Sequence, residues 1–128
     1  QALPVPASQT ADWERQTGLV SHREMAHQAG LGFRGMNSLL VNPDYGAQVR
    51  LVTVLTDMPL KTNNIVEESH CARCMACQAL CPAGAIGDRP EDFDRWTCLE
   101  KLKEFSKKHN IGQYICGICV KACPGAEL

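Results

Sequence analysis

Apolar residues in this chain come in short blocks. The longest runs from Val49 to Leu55 and is interrupted by Arg50 and Thr53, well short of the ~18 residues that argue a membrane span. Valine, leucine and threonine dominate 49–56, a length and composition that predict a buried strand. Asp57-Met58-Pro59-Leu60 ends it, because proline cannot continue a ladder. Ser21-His-Arg-Glu24 reads as a capping box, with Val20 and Met25 placed as the hydrophobic staple and Gly30 where a left-handed residue closes a helix. A helix over 22–29 follows. Thr97-Cys-Leu-Glu100 is a second capping box, and Leu99, Leu102 and Phe105 recur behind it at helical spacing. That predicts a helix with Cys98 at its N-terminus, where the dipole favours a thiolate.

The remaining stretches are punctuation. Pro4 and Pro6 make 1–9 an extended lead-in, and Thr10 as N-cap with Gly18 as stop frames a short helix over 11–16. Gly30-Leu-Gly32-Phe-Arg-Gly35 is too differently spaced for a dinucleotide fingerprint and follows a helix where that motif follows a strand. Its glycines let the backbone pass close to something flat or bulky. Asn42-Pro43-Asp44-Tyr45-Gly46 is a turn, and 61–69 a polar loop.

Composition narrows the class. The chain is 45% hydrophobic and 21% charged, which suits a globular domain of ordinary size. A net charge of −1 demands neither a nucleic acid nor an anionic membrane, and 5% aromatics leave few base-stacking surfaces. Lys101, Lys103, Lys107, Lys108 and Lys121 make one end basic. The plain reading is a solvated face paired with Glu100 and Glu104; the sharper one is a docking patch for an acidic electron donor or a tRNA backbone. His22, His27, His70 and His109 have surface or hydrogen-bonding readings.

The eight cysteines carry the chemistry. Cys71, Cys74, Cys77 and Cys81-Pro82 stand at the bacterial-ferredoxin spacing, in which three cysteines grip one iron–sulfur cluster and the fourth reaches a second. The implied partners are present: Cys98, then Cys116-Gly-Ile-Cys119-Val-Lys-Ala-Cys123-Pro124. A disulfide framework rarely crowds four cysteines between positions 71 and 81. Zinc sites usually join two Cys-x-x-Cys units, which leaves Cys77 and the two Cys-Pro endings unexplained. Two-residue gaps let a turn wrap a cluster corner with its N–H groups aimed at sulfur, and Ala72, Ala76 and Ala79 allow close approach. The two-cluster rule crosses the ligands: Cys123 joins Cys71, Cys74 and Cys77, and Cys81 joins the second set. Phe93 and Trp96 are placed to cover that second set. Such clusters imply a reducing, cytoplasmic compartment.

Ala26-His-Gln-Ala-Gly30-Leu-Gly-Phe-Arg-Gly35, Asn37-Ser-Leu-Leu40, Thr56-Asp-Met-Pro-Leu60 and the cysteine block, in this order, resemble the epoxyqueuosine reductase family, with which reductive dehalogenases share the module. The resemblance covers about 20–124. It implies an α+β architecture: a ferredoxin-like domain with two [4Fe-4S] clusters over 63–128, following part of a nitroreductase-like cobalamin-binding domain over 1–62, built of helices and one strand. It also implies that Cys98 is the detached third ligand of the second cluster, beside Cys116, Cys119 and Cys81. Gly32, Gly35, Met36, Asn37 and Ser38 would lie along the corrin ring. The family's further N-terminal portion is missing, and its acidic residue has no counterpart in 3–8, with Asp12 and Glu24 the nearest carboxylates. The expectation is therefore part of a larger protein, with no catalytic residue assigned. Two functions compete. One is electron delivery, from reduced ferredoxin or flavodoxin, inside a cobalamin-dependent reductase, with the missing N-terminal portion and a tRNA as further partners. The other is a free-standing two-cluster carrier.

Overall fold

The computed structural model describes residues 1–6, 10–12, 14–15, 17–61 and 71–125. Most of the expected polar loop over 61–69, together with His70, lies outside them. The architecture mixes short strands with helices, as expected, but the N-terminal part is richer in strand than the sequence suggested. Its described residues hold six short strands and one helix.

Three antiparallel pairs organise this part. Strand β1 (Ala2–Val5) pairs with β6 (Thr53–Thr56), in the register Ala2↔Thr56 to Val5↔Thr53. The strand expected over 49–56 is thus half as long, because β1 offers only four partners. It is also not buried: Val54 and Leu55 are each 49% exposed. Strands β2 (Thr10–Asp12) and β3 (Thr17–Gly18) form a hairpin where a helix was expected over 11–16. The Asp12 carboxylate accepts from the Arg15 N–H and pairs with its guanidinium. Such a side-chain-to-backbone bond favours a turn over continued helix.

Helix α1 (His22–Gln28) begins where expected, with the Ser21 hydroxyl accepting from the Glu24 N–H at 3.3 Å. The reciprocal half of the box does not form, since the Glu24 carboxylate accepts from Gln28 instead. Gly30 closes the helix at φ 73°. Both α1 histidines are structural: the His22 ring bonds Thr53 Oγ1 at 2.7 Å, and His27 bonds the Gly32 carbonyl at 2.9 Å.

Strands β4 (Phe33–Arg34) and β5 (Leu40–Val41) then fold back on each other. Asn42 holds the next turn, its Oδ1 accepting from the N–H groups of Asp44 and Tyr45. Phe33, Val41 and Ala47 form a buried cluster, and Leu39, Cys71 and Cys123 pack against it. The N-terminal strands therefore supply the apolar floor on which cysteines from both ends of the cysteine-rich stretch rest.

The second part is helical. It contains α2 (Cys71–Cys74), α3 (Ala76–Ala79), a one-turn 3-10 helix over Pro90–Asp92, α4 (Arg95–His109) and α5 (Ile118–Lys121). Helix α4 starts three residues earlier than a Thr97 cap would place it. Asp94 is the cap, accepting from the N–H groups of Trp96 and Thr97 and from the Thr97 hydroxyl. The stronger acceptor upstream therefore converts Thr97 from cap to donor. Lys101 and Lys103 pair with Glu104 and Glu100, the plain reading of the basic end. No described helix is long and apolar enough to cross a membrane.

Candidate metal centre

The cysteine turns repeat one backbone device. After Cys74, Met75 takes a left-handed conformation (φ 48°) and α3 begins; after Cys116, Gly117 does the same (φ 75°) and α5 begins. Each turn swings its second cysteine, Cys77 or Cys119, onto a short helix, and the two helices pack against each other. The chain then leaves at Cys81-Pro82 and at Cys123-Pro124, equivalent positions in the two copies.

The structure brings the eight cysteines together in two groups. Cys71, Cys74, Cys77 and Cys123 line one small void, together with Met75, Ala122, Val41 and Asn37. Cys81, Cys98, Cys116 and Cys119 line a cavity of about 580 Å3, much of it apolar and walled by Leu39, Leu40, Ile86, Phe93, Leu102 and Val120. Phe93 thus faces the second group as expected. Trp96 does not: it is 46% exposed, borders an open groove with Ala83 and Glu100, and has the Arg95 guanidinium 5.4 Å from its ring centre.

The electrostatics follow the same grouping. Burial, then the charges of Cys71, Cys123, Cys119 and Cys74, push the Cys77 thiol up to about 11. Burial, then Cys119, Cys81, Cys116 and Asp94, raise Cys98. Cys119 is raised by burial, then by Cys116 and Cys81, while backbone N–H groups at Cys119 and Val120 aim at its sulfur and pull the other way. The charge of Cys119 reaches Cys77 because α3 packs against α5, so the two groups lie close together.

Clustered thiols that resist ionisation are poised for a positively charged occupant, which takes thiolates and releases their protons. None of the eight cysteines is in a disulfide, and all are partly exposed. Among the described residues, no three His, Cys, Asp or Glu side chains are gathered tightly enough to hold a metal ion. Four thiols spread around a void suit a multi-iron group, whose corners each take one.

A pH dependence follows for the metal-free chain. A thiol whose folded pKa is raised stabilises the fold fully below its unfolded value, and that contribution is lost as pH rises through the folded value. For Cys77 the window runs from about 9.0 to about 11. Urea denaturation of chelator-stripped protein is expected to shift to lower midpoints across this window, in step with thiolate absorbance. Constant midpoints would contradict it.

The segment expected along a corrin ring is buried. Met36, Asn37 and Ser38 are 5%, 4% and 4% exposed. A Cβ at Gly32 would lie 2.2 Å from the Val41 carbonyl oxygen, and one at Gly35 2.5 Å from Val41 Cγ2. The close approach these glycines permit is therefore to β5. Asn37 lines both cavities. Arg23 and Arg34 stand inside the capping box and the glycine segment, where the sequence assigns them no role of their own. Arg23 Nη1 donates to the Ser38 carbonyl and hydroxyl, and Arg34 to the Ser38 hydroxyl and, across to the helical part, to the Pro90 carbonyl. Burial, then the charge of Arg34, lower the Arg23 pKa. Nothing in local spacing signals this clasp.

No protein-family model matches the chain. It is 31% identical to the epoxyqueuosine reductase of Bacillus subtilis (strain 168), over 84% of this chain and 30% of that protein. It is 39% identical to that of Escherichia coli (strain K12), over 65% of this chain and 21% of that protein. This chain is related to the epoxyqueuosine reductases. It spans about a third or less of the relatives it matches. Solved epoxyqueuosine reductases share the fold. The Bacillus subtilis structure superimposes with a TM-score of 0.64 at 30% identity, covering 87% of this chain and 32% of that one. A crystal structure of epoxyqueuosine reductase with an epoxyqueuosine-modified tRNA-Tyr stem loop gives 0.69 at 27% identity, covering 99% and 33%.

Proposed function

We propose that this chain holds two [4Fe-4S] clusters and is the electron-transfer part of an epoxyqueuosine-reductase-like, cobalamin-dependent oxidoreductase. One observation carries the reading: Cys123 shares a void with Cys71, Cys74 and Cys77, while Cys81 shares a cavity with Cys98, Cys116 and Cys119. This grouping matches the reciprocal exchange that two-cluster ferredoxins use. Such clusters supply one-electron chemistry, and a corrinoid supplies cobalt-centred reduction.

The residues divide the work. Cys71, Cys74, Cys77 and Cys123 hold the first cluster, and Cys81, Cys98, Cys116 and Cys119 the second. The apolar side chains of the larger cavity keep water from the second, which sets its potential. Gly32, Gly35, Met36, Asn37 and Ser38 back the corrinoid side from a buried position, and of the five only Asn37 reaches the larger cavity. Residues 63–128 make the ferredoxin-like domain, and 1–62 part of the cobalamin-binding one. Reduced ferredoxin or flavodoxin is the donor, the remaining portion of the reductase the partner, and a tRNA stem loop the substrate class, in a reducing cytoplasm.

Iron, sulfide and cobalt analysis of anaerobically purified protein tests this. About eight irons and eight sulfides per chain are expected. Zinc without iron, or about four irons, would overturn it. A cobalamin titration then separates the two functions. A spectral shift supports the reductase; two clusters with no response, even with the rest of the reductase supplied, leaves a free-standing carrier.

A further inference from the structure

Among the described residues, one buried side-chain polar atom has no hydrogen-bond partner: Asn37 Nδ2. Asn37 is 4% exposed, and buried donors almost always find an acceptor. The other end of the amide is fixed. Its Oδ1 accepts from the Leu39 N–H at 3.2 Å, which settles which end is oxygen and closes the turn before β5. The NH2 group is thereby held in one direction.

What surrounds the side chain bears on what that group could bond. Asn37 lines the void of Cys71, Cys74, Cys77 and Cys123. A Cβ placed on Gly35 would sit 3.0 Å from Asn37 Oδ1 and 3.5 Å from Cys71 Sγ, so amide and thiol flank the same point. Backbone N–H groups are the usual donors to cluster sulfur; here a side chain from the other half of the chain stands among the ligands.

We propose that Asn37 is a positioning and tuning residue of the first cluster, its Nδ2–H donating to a sulfur of the group those four thiols hold. The proposal rests on the two-cluster reading above. A donor aimed at sulfur stabilises the more negative, reduced cluster and raises its potential. It would also tie the reduction state of the first cluster to the wall of the larger cavity, which Asn37 lines too.

The test uses the full, cluster-loaded chain. Asn37→Leu keeps the volume and removes the donor; Asn37→Asp keeps the acceptor for Leu39 and removes the donor, should the first variant fail to load. With heavy-nitrogen label in the asparagine side chains, the reduced wild type is expected to show a hyperfine coupling of that nitrogen to one cluster, lost in either variant. In Asn37→Leu, an EPR-monitored redox titration is expected to move one cluster to more negative potential and leave the other in place, at unchanged iron content. Full iron with both potentials unmoved, both moved alike, or a coupling that survives the substitution would overturn the proposal, as would coupling to added cobalamin alone. A wild-type chain without iron would instead sink the two-cluster reading itself.

Discussion

Alanine at both Cys71 and Cys123 is expected to remove no more iron than alanine at Cys71 alone, about four of about eight per chain. Alanine at Cys119 and Cys123 together is expected to remove about eight, although only residues 120–122 lie between them. The reason is geometric. Cys119 sits on α5 and faces the cavity of Cys81, Cys98 and Cys116. Past the end of that helix, Cys123 faces the void of Cys71, Cys74 and Cys77. Losing one corner ligand opens that cube to solvent, and a second loss at the same cube adds little. Losses at different cubes add. Cluster content read from iron, sulfide and visible absorbance checks the pattern. Were each cluster held by neighbours in sequence, the two double variants would give the reverse order, and the exchange would be wrong.

The grouping of the cysteines around two cavities was legible from covalent spacing, except for Cys98, whose place came only from the family resemblance. Between Cys71 and Cys77 the chain has too few residues to send the thiols anywhere but around one point, and Cys81 and Cys123 occupy equivalent exits. The Ser21 cap and the Gly30 stop were legible for a similar reason: cap and capped N–H are three residues apart. Errors arose where two local signals competed. Thr97 and Asp94 could both cap α4, and the carboxylate prevailed. Thr10 could have opened a helix, but Asp12 closed a turn on Arg15. Contacts remote in sequence left no trace. The Arg34 bond to Pro90 and the seat of Asn37 beside Cys71 depend on how two halves meet, which no local pattern encodes. The relation to epoxyqueuosine reductases was legible from motif order alone, since the same short blocks recur in one sequence.

Gly46→Ala is expected to empty the first cluster site and spare the second. Gly46 sits at φ +60°, and a Cβ there would lie 2.2 Å from the Cys123 carbonyl oxygen, 2.6 Å from the Gly125 nitrogen and 2.8 Å from the Cys123 carbonyl carbon. These are backbone atoms, so no side-chain rotation relieves the clash; either the turn over 42–46 or the Cys123 segment must move. The turn is held at both ends by reciprocal Asn42–Gly46 backbone bonds of 2.8 and 2.9 Å. Displacement therefore falls on Cys123, which Gln48 Nε2 also grips through its carbonyl at 3.3 Å. Gly117→Ala is the control. Gly117 is equally left-handed, at φ +75°, but a Cβ there meets nothing within 4 Å. It carries only conformational strain of about 1–2 kcal/mol, so that variant should keep about eight irons while its urea midpoint falls. Gly46→Ala should keep about four, with the signal of the second cluster unchanged. If both variants retained full iron, the N-terminal strands would be a passive shell, and the buried cluster of Phe33, Val41 and Ala47 beneath Cys71 and Cys123 would have no part in holding the metal.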